Sequence, residues 1–316
     1  MKLATFVAGD RPRVGLVDAE AGSILDLSAA GSEHPFLGSM VSLIERGDEA
    51  LEVIRDLARS GQEHRLALSK VRLLAPLPRP EQIRDFFIFP GHIRQSAVGM
   101  RKLAARLEGT PVGDTAPGEV PEIFKTRPVY YISNRNNVSG PGDEISWPRY
   151  SEIMDFELEF AAVISKAGKD ITQANARDHI FGYTLFNDFS ARDAQFLEMK
   201  GGLGPAKGKS FDGANSLGPW IVTADEIADP YDLTLEARVN GEVWASSTTS
   251  DSLFTFEDLI AYVSRDETIY PGEIFGSGTL KDGCGLEHDR YLQDGDVVEL
   301  QSSVLGTLRN TVRSQT

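Results

Sequence analysis

Residues 155–164 read Asp155-Phe-Glu-Leu-Glu-Phe-Ala-Ala-Val-Ile164. The segment is mostly apolar, ends on β-branched side chains and carries acids only at Asp155, Glu157 and Glu159, which reads as a β-strand. Side chains alternate faces along a strand, so Glu157 and Glu159 share one face and Phe156, Leu158 and Phe160 the other. The two carboxylates then stand ~7 Å apart at the usual rise per residue. Buried carboxylates have to be paired or to bind a cation, because an isolated buried charge is too costly. A half-exposed strand with an acidic outer face is the competing reading, and this segment alone does not choose between them.

The surrounding chain sets limits. Its 316 residues suit one large domain, or a main domain with a smaller annex. A hydrophobic share of 41% with 25% charged residues is ordinary for a water-soluble globular protein. No apolar run is long enough to span a membrane. The opening residues Met-Lys-Leu-Ala-Thr-Phe-Val-Ala-Gly-Asp turn polar too soon for a signal peptide and read as a strand. One cysteine, Cys284, excludes an internal disulfide framework and suits a reducing cytoplasm. A net charge of −15 argues against nucleic acid and anionic membranes as partners, since both need basic surfaces.

Residues 2–27 alternate apolar runs with turns, which predicts a small antiparallel strand set. Apolar positions from 36 to 59 recur at helical spacing and are broken at Gly47-Asp48, so two helices are expected there. Residues 73–80 run from a strand into a Pro-rich turn and mark a domain junction. The division is therefore a small N-terminal α/β domain over 1–72 and a main domain over 73–316. His34 and His64 sit among polar residues and read as surface positions. Asn240-Gly241 between two strand patterns signals a type I′ hairpin. Thr255 reads as the N-cap of a helix with Phe256, Leu259, Ile260 and Val263 facing inward.

Between these lie the chemistry-bearing segments. Ile83-Arg-Asp-Phe-Phe-Ile-Phe-Pro-Gly-His-Ile-Arg94 puts Asp85 beside an apolar strand and His92 just after a Pro-Gly turn, leading into a basic amphipathic helix at 96–107 that contains Arg101. Residues 109–122 are rich in Gly and Pro and suit a mobile lid, or merely a surface loop. The short segment 172–181 reads as a helix, and 183–186 as a strand ending at Asn187-Asp188-Phe-Ser-Ala-Arg-Asp193. Gly201–Ser210 is no phosphate loop: with Gly208-Lys209-Ser210 as its end, the opening glycine would fall on Leu203.

Together these blocks resemble the fumarylacetoacetate hydrolase superfamily, over roughly residues 70–312. The carriers are Asp85-Phe-Phe…His92, Glu157-Leu-Glu159, Asn187-Asp-Phe-Ser-Ala-Arg-Asp-Ala-Gln195, Gly208-Lys-Ser-Phe211, Leu217-Gly-Pro-Trp220, Gly276-Ser-Gly-Thr279 and Asp294-Gly-Asp296. Each block is short, but seven in this order are a specific signature. The resemblance implies a β-rich α+β fold, a mixed β-sandwich roll with the small N-terminal α/β domain. It also implies a divalent cation, Mg²⁺ first and Ca²⁺ or Mn²⁺ as substitutes, on Glu157, Glu159 and Asp188, with Asp85 as a fourth carboxylate. Oxygen donors suit such hard cations. Asp155 shares the acidic face by period but lies at the strand's edge and matches no ligand position.

The same resemblance implies catalysis by His92 with Glu287, the carboxylate fixing the imidazole tautomer so that the other nitrogen takes a proton. Lys209 joins the catalytic group, while Arg192, Gln195, Arg101, Tyr131 and Thr279 fall at substrate-binding positions. A salt bridge to Asp193 or a neighbour is the alternative for Arg192, and a counter-charge to the acids the alternative for Lys209. Phe87 and Met199 stand where fumarylacetoacetases proper have tyrosines, and Gln95 stands where small relatives carry a lid glutamate. The expected function is hydrolysis of a C–C bond in a β-diketone or 2,4-dioxo acid during aromatic compound catabolism, by a homodimer. The alternatives are a 2-oxo acid lyase or isomerase (decarboxylase, dehydratase or tautomerase) and a non-catalytic metal-binding homologue.

Overall fold

The computed structural model describes residues 1–315. Its main sheet runs, edge to edge, through Arg65–Ala67, Ser23–Asp26, Pro12–Asp18, Lys2–Val7, Asn215–Thr223, Ile180–Asp188, Leu158–Ile164, Ile274–Gly276, Ile83–Phe86 and Tyr130–Ser133. A second sheet holds Glu242–Thr248, Thr234–Val239, Val297–Ser302, Gly306–Ser314 and Glu144–Trp147. The fold is the β-rich α+β sandwich that the sequence motifs implied.

The Leu158–Ile164 strand lies at the centre and is buried at every residue, so the half-exposed reading does not hold. Its alternation is sorted between two cores. Phe160, Ala162 and Ile164 pack between the sheets with Tyr183, Leu185, Leu235 and Leu300. Ala161 and Val163 face the other way, onto the core formed with Leu43, Ile44 and Ile54 of the helices Met40–Arg46 and Asp48–Ser60. Those helices break at Gly47, as the sequence indicated. The first segment joins the main sheet where Lys2 lies opposite Val222 and Leu3 opposite Ile221.

Local signals elsewhere take their expected form. Asn240 and Gly241 adopt φ of 52° and 82°, the left-handed pair that a type I′ turn requires. Thr255 caps the Phe256–Val263 helix in a reciprocal box with Asp258.

Other segments depart from the sequence reading. The helix expected from 96 begins at Pro90 and runs to Glu108, so His92 sits in its first turn and not at a preceding turn. Proline is at home at the first helical position because its missing N–H has no intrahelical partner there anyway. The 172–181 segment is helical only over Gln173–Ala176, then passes through a 3-10 turn into the Ile180–Asp188 strand. Helices at Glu122–Thr126 and Arg192–Met199 carried no clear periodic signal. No helix among the described residues is long and apolar enough to cross a membrane.

Candidate active site and metal centre

Strand alternation and strand pairing build the acidic cluster. Glu157 and Glu159 project from the face of their segment opposite Phe156, Leu158 and Phe160. Antiparallel pairing sets Leu158 against Asn187, which brings Asp188 alongside at the end of the next strand. Asp85 arrives from the other side, opposite Gly276 in a parallel pairing. A Cβ at Gly276 would stand 2.6 Å from Asp85 Oδ1 and 2.8 Å from the Phe186 ring, so glycine keeps the space the carboxylate fills. One oxygen from each of Asp85, Glu157, Glu159 and Asp188 lies within 4.8 Å of the others, and all four residues are buried.

Positive charge is short. Lys209 Nζ lies 2.5 Å from Glu157 Oε2 and 2.6 Å from Asp188 Oδ2. Arg192 reaches Glu157 Oε1 at 2.8 Å but shares itself with a fifth acid, Asp155. Glu157 therefore differs from its neighbours: burial pushes its carboxyl up, but Lys209 and then Arg192 and His92 overrule this and hold it below the usual range. Burial, followed by the charge of the neighbouring acids, Asp85 foremost, raises Glu159 far above its ordinary value. Asp85 and Asp188 are also raised by burial, against the opposing pull of Lys209. Asp85 Oδ1 and Asp188 Oδ1 are buried without a hydrogen-bond partner. Orphaned oxygens in an all-carboxylate set with too little counter-charge fit a hard divalent cation. The residues present suit the group that the motifs implied.

Beside the cluster, His92 Nδ1 lies 3.2 Å from Glu287 Oε1, a close contact whose alignment leaves Nδ1 without a hydrogen bond. Glu287 is oriented by backbone N–H donation from Asp282 and Cys284, each at 3.2 Å. The imidazole edge packs against Phe87, and Phe87 against Phe124 of the Glu122–Thr126 helix. The two halves of the pair meet because the His92 helix seats on the Gly285–His288 turn. Gly99 makes that seat possible, since a Cβ there would lie 2.4 Å from the Leu286 carbonyl oxygen. A mid-helix glycine costs about 1 kcal/mol relative to alanine, so close packing must repay it.

The residues expected at substrate have protein partners here. Arg192 is 1% exposed; its Nε donates to Asp155 Oδ2 at 2.8 Å and its NH1 to Gln195 Oε1 at 2.9 Å. These contacts are the salt bridge named as the alternative for Arg192, made to Asp155 and Glu157 rather than to Asp193, and Asp155 stays outside the four-carboxylate cluster. Asp155 is fully buried, accepts from the Gly285 and Leu286 backbone N–H groups at 2.7 and 2.8 Å, and links the Glu157 side of the cluster to the Glu287 turn. Tyr131 donates to Asp188 Oδ2, and burial followed by that carboxylate pushes its hydroxyl well up. Thr279 Oγ1 donates to Glu159 Oε1 at 3.3 Å, with Gly278 N–H at 3.1 Å on the other oxygen. Arg101 points at the 109–122 segment, donating to the carbonyls of Asp114 and Ala116 at 2.9 and 3.0 Å. Sequence reasoning also passed over Asn187, whose side-chain oxygen holds the Glu157 N–H at 3.0 Å; its place beside Asp188 was the available signal.

A β-rich fold presenting four strand-borne carboxylates next to a buried His–Glu pair defines an enzyme scaffold of the oxygen-ligated metal type. The family described as "Fumarylacetoacetate (FAA) hydrolase C-terminal" matches residues 96–313. Oxaloacetate tautomerase fahd2, mitochondrial, of Xenopus laevis is 36% identical over 317 residues, covering 99% of this chain and 90% of that protein. Oxaloacetate tautomerase YisK of Bacillus subtilis is 30% identical over 325 residues, covering 99% of this chain and 100% of its own. Among solved structures, the fumarylacetoacetate hydrolase of Exiguobacterium antarcticum superposes with a TM-score of 0.76 at 30% identity, each chain fully covered. The chain belongs to the fumarylacetoacetate hydrolase family, an enzyme family. Asp85 and His92 lie upstream of the matched residues and reach the site through the Ile83–Phe86 strand and the Pro90–Glu108 helix.

Proposed function

We propose that this protein is a metal-dependent keto–enol tautomerase of a short 2-oxo dicarboxylic acid, with oxaloacetate as the first candidate. The observation that carries this reading is full-length similarity to two oxaloacetate tautomerases from a frog and a bacterium, at 36% and 30% identity. It displaces C–C hydrolysis as the leading reading. The His92–Glu287 pair, which favoured hydrolysis in the sequence, serves a proton shuttle equally well.

Asp85, Glu157, Glu159 and Asp188 would hold the cation, Mg²⁺ first. Such a cation supplies Lewis-acid polarisation of the 2-oxo group and stabilises enolate charge. His92 then moves a proton between C3 and the enol oxygen: the C3–H bond breaks as the O–H bond forms, with no other group lost. Glu287 faces Nδ1, so Nε2 is the ring nitrogen left for the transfer, and the carboxylate stabilises the transient imidazolium. This chemistry needs one acid–base group. Hydrolysis needs in addition a positioned water and a second proton donor, and the position three residues after His92, on the Pro90–Glu108 helix, holds Gln95, an amide that does not titrate.

The test follows the enol band of oxaloacetate after keto or enol stock is diluted into Mg²⁺-loaded protein, with acylpyruvates run in parallel. Faster relaxation of the band with no change in total oxaloacetate supports the tautomerase. Loss of acylpyruvate to two smaller acids, with oxaloacetate untouched, would return hydrolysis to first place. The reading also includes a homodimer, which sedimentation checks, with Leu197, Met199 and Leu203 as exposed apolar candidates for its contact. A reducing compartment suits the free thiol of Cys284; the frog relative carries a mitochondrial designation in its name.

A further inference from the structure

Behind His92 lies a second group of metal-capable atoms that the acidic cluster does not use. His92, Cys284 and Glu287 each offer a donor atom within 4.8 Å of the other two. His92 Nδ1 is 3.2 Å and Cys284 Sγ 3.4 Å from opposite oxygens of Glu287. A tetrahedral ion with metal–ligand bonds of about 2.0–2.3 Å holds its ligands roughly 3.3–3.8 Å apart; the two contacts to Glu287 are close to that spacing, and His92 and Cys284 need to approach from within 4.8 Å. His92 is 3% exposed and its Nδ1, directed into this group, has no hydrogen-bond partner. A buried, unsatisfied imidazole nitrogen beside a thiol and a carboxylate is a feature that calls for a ligand.

We propose that His92, Cys284 and Glu287 form a second metal site, for borderline-soft divalent ions such as Zn²⁺, and that its occupation silences the first. The donor chemistry separates the two. Four carboxylates favour a hard cation, whereas a nitrogen, a sulfur and an oxygen favour zinc or cobalt, with a fourth position open to water. One side of the group is apolar: Cys284 and Leu286 pack against Leu103. Burial, then the charge of Glu287, raises the free thiol well above its ordinary value, so it is protonated until an ion arrives. Binding displaces that proton to solvent and forms the metal–sulfur bond, with no change of oxidation state. Coordination through Nδ1 requires the tautomer with hydrogen on Nε2. The shuttle nitrogen then has no lone pair, and Glu287 is no longer free to support an imidazolium. The inhibitory half of this proposal rests on the role given to His92 above; the binding half does not.

Cobalt makes the two halves separable. Full-length protein saturated with Mg²⁺ is titrated with Co²⁺ while the near-ultraviolet thiolate-to-cobalt charge-transfer band is recorded. One equivalent should bring the band up with release of a proton, and Zn²⁺ should chase it away. Because Cys284 is the only cysteine, Cys284→Ser must abolish the band, and Glu287→Gln should weaken cobalt binding at least tenfold; far-ultraviolet circular dichroism checks that both variants are folded. No band in the wild-type protein at saturating Co²⁺, or a band that survives Cys284→Ser, overturns the site. Turnover that is unchanged at a Zn²⁺ level which empties the band overturns the inhibitory half. A protein that converts no 2-oxo acid at all would defeat the proposed function while leaving the band as an independent report on the site.

Discussion

Arg192 and Asp155 form a fully buried ion pair, with the guanidinium Nε 2.8 Å from Oδ2 and exposures of 1% and 0%. The pair joins two parts of the site, since Arg192 also touches Glu157 and Asp155 receives the N–H groups that start the Glu287 turn. Removing one partner of such a pair leaves an uncompensated buried charge and costs about 3–5 kcal/mol. Arg192→Met should therefore lower the melting temperature by several degrees and weaken metal binding, as read by thermal unfolding and titration calorimetry. Arg192→Lys should recover little, because a lysine lacks the planar fork. A variant of normal stability and metal affinity with only a raised KM would instead place Arg192 at the substrate.

Divalent metal should stabilise the fold by mass action. At a concentration of about 100 times Kd the gain is about 2.7 kcal/mol. The melting temperature should rise with added Mg²⁺ or Mn²⁺, fall back with chelator, and respond far less in Glu159→Gln. An unresponsive wild-type protein would remove the metal from the acidic cluster.

The pH dependence has two opposing parts. Glu157 is held down to about 2 from 4.5, so its stabilising contribution is full above 4.5 and is lost as pH falls towards 2. Asp85, Glu159 and Asp188 are shifted upward, so the fold without metal binds protons that the unfolded chain has released. Their contribution is full below the unfolded values and is lost as pH rises through the folded ones. Metal-free protein should thus lose stability as pH rises above the ordinary carboxylate range while metal affinity climbs, with proton release on metal binding visible in buffers of different ionisation enthalpy. A metal affinity that is flat with pH would contradict the charge balance described for the cluster.

His92→Ala should reduce turnover by about 10²–10⁴-fold, the usual worth of a positioned acid–base group, while metal-induced stabilisation stays near the wild-type value. Glu287→Gln should fall between the two and shift the pH–rate profile, because it perturbs the imidazole without removing it. Turnover retained in His92→Ala would dismiss the proton shuttle.

Gly99 tests whether the pair depends on helix seating. Alanine favours a helix by about 1 kcal/mol, yet here its Cβ would fall 2.4 Å from the Leu286 oxygen. Overpacking of this kind costs about 1–3 kcal/mol. Gly99→Ala should be less stable and should lose kcat by at least tenfold through displacement of His92 from Glu287. A more stable variant of full activity would show that the helix moves without disturbing the pair.

Much of the architecture was legible because it is written in short range. Two-residue alternation put Glu157 and Glu159 on one face, Asn240-Gly241 dictated a turn that needs two positive φ angles, and Thr255 marked a helix start. The acidic residues of the cluster were reached through the family motifs, since nothing in spacing alone ties Asp85 to Glu159. Other features were illegible for a definite reason. The Pro-Gly before His92 reads as a turn, but proline also suits a first helical turn, and only packing against the 285–288 turn selects the helix. Asp155 stood on the acidic face by period, yet its value comes from Arg192 and two backbone N–H groups some 130 residues away.

The sequence by itself determined which side chains share a face and which segments turn, because strand and helix geometry relate neighbours a few residues apart. Tertiary structure alone decided how the positive charges are apportioned: Lys209 to Glu157 and Asp188, and Arg192 to Asp155 and Glu157. Those choices depend on distances between strands and helices far apart in the chain, and on the shortage of counter-charge that burial enforces once they meet.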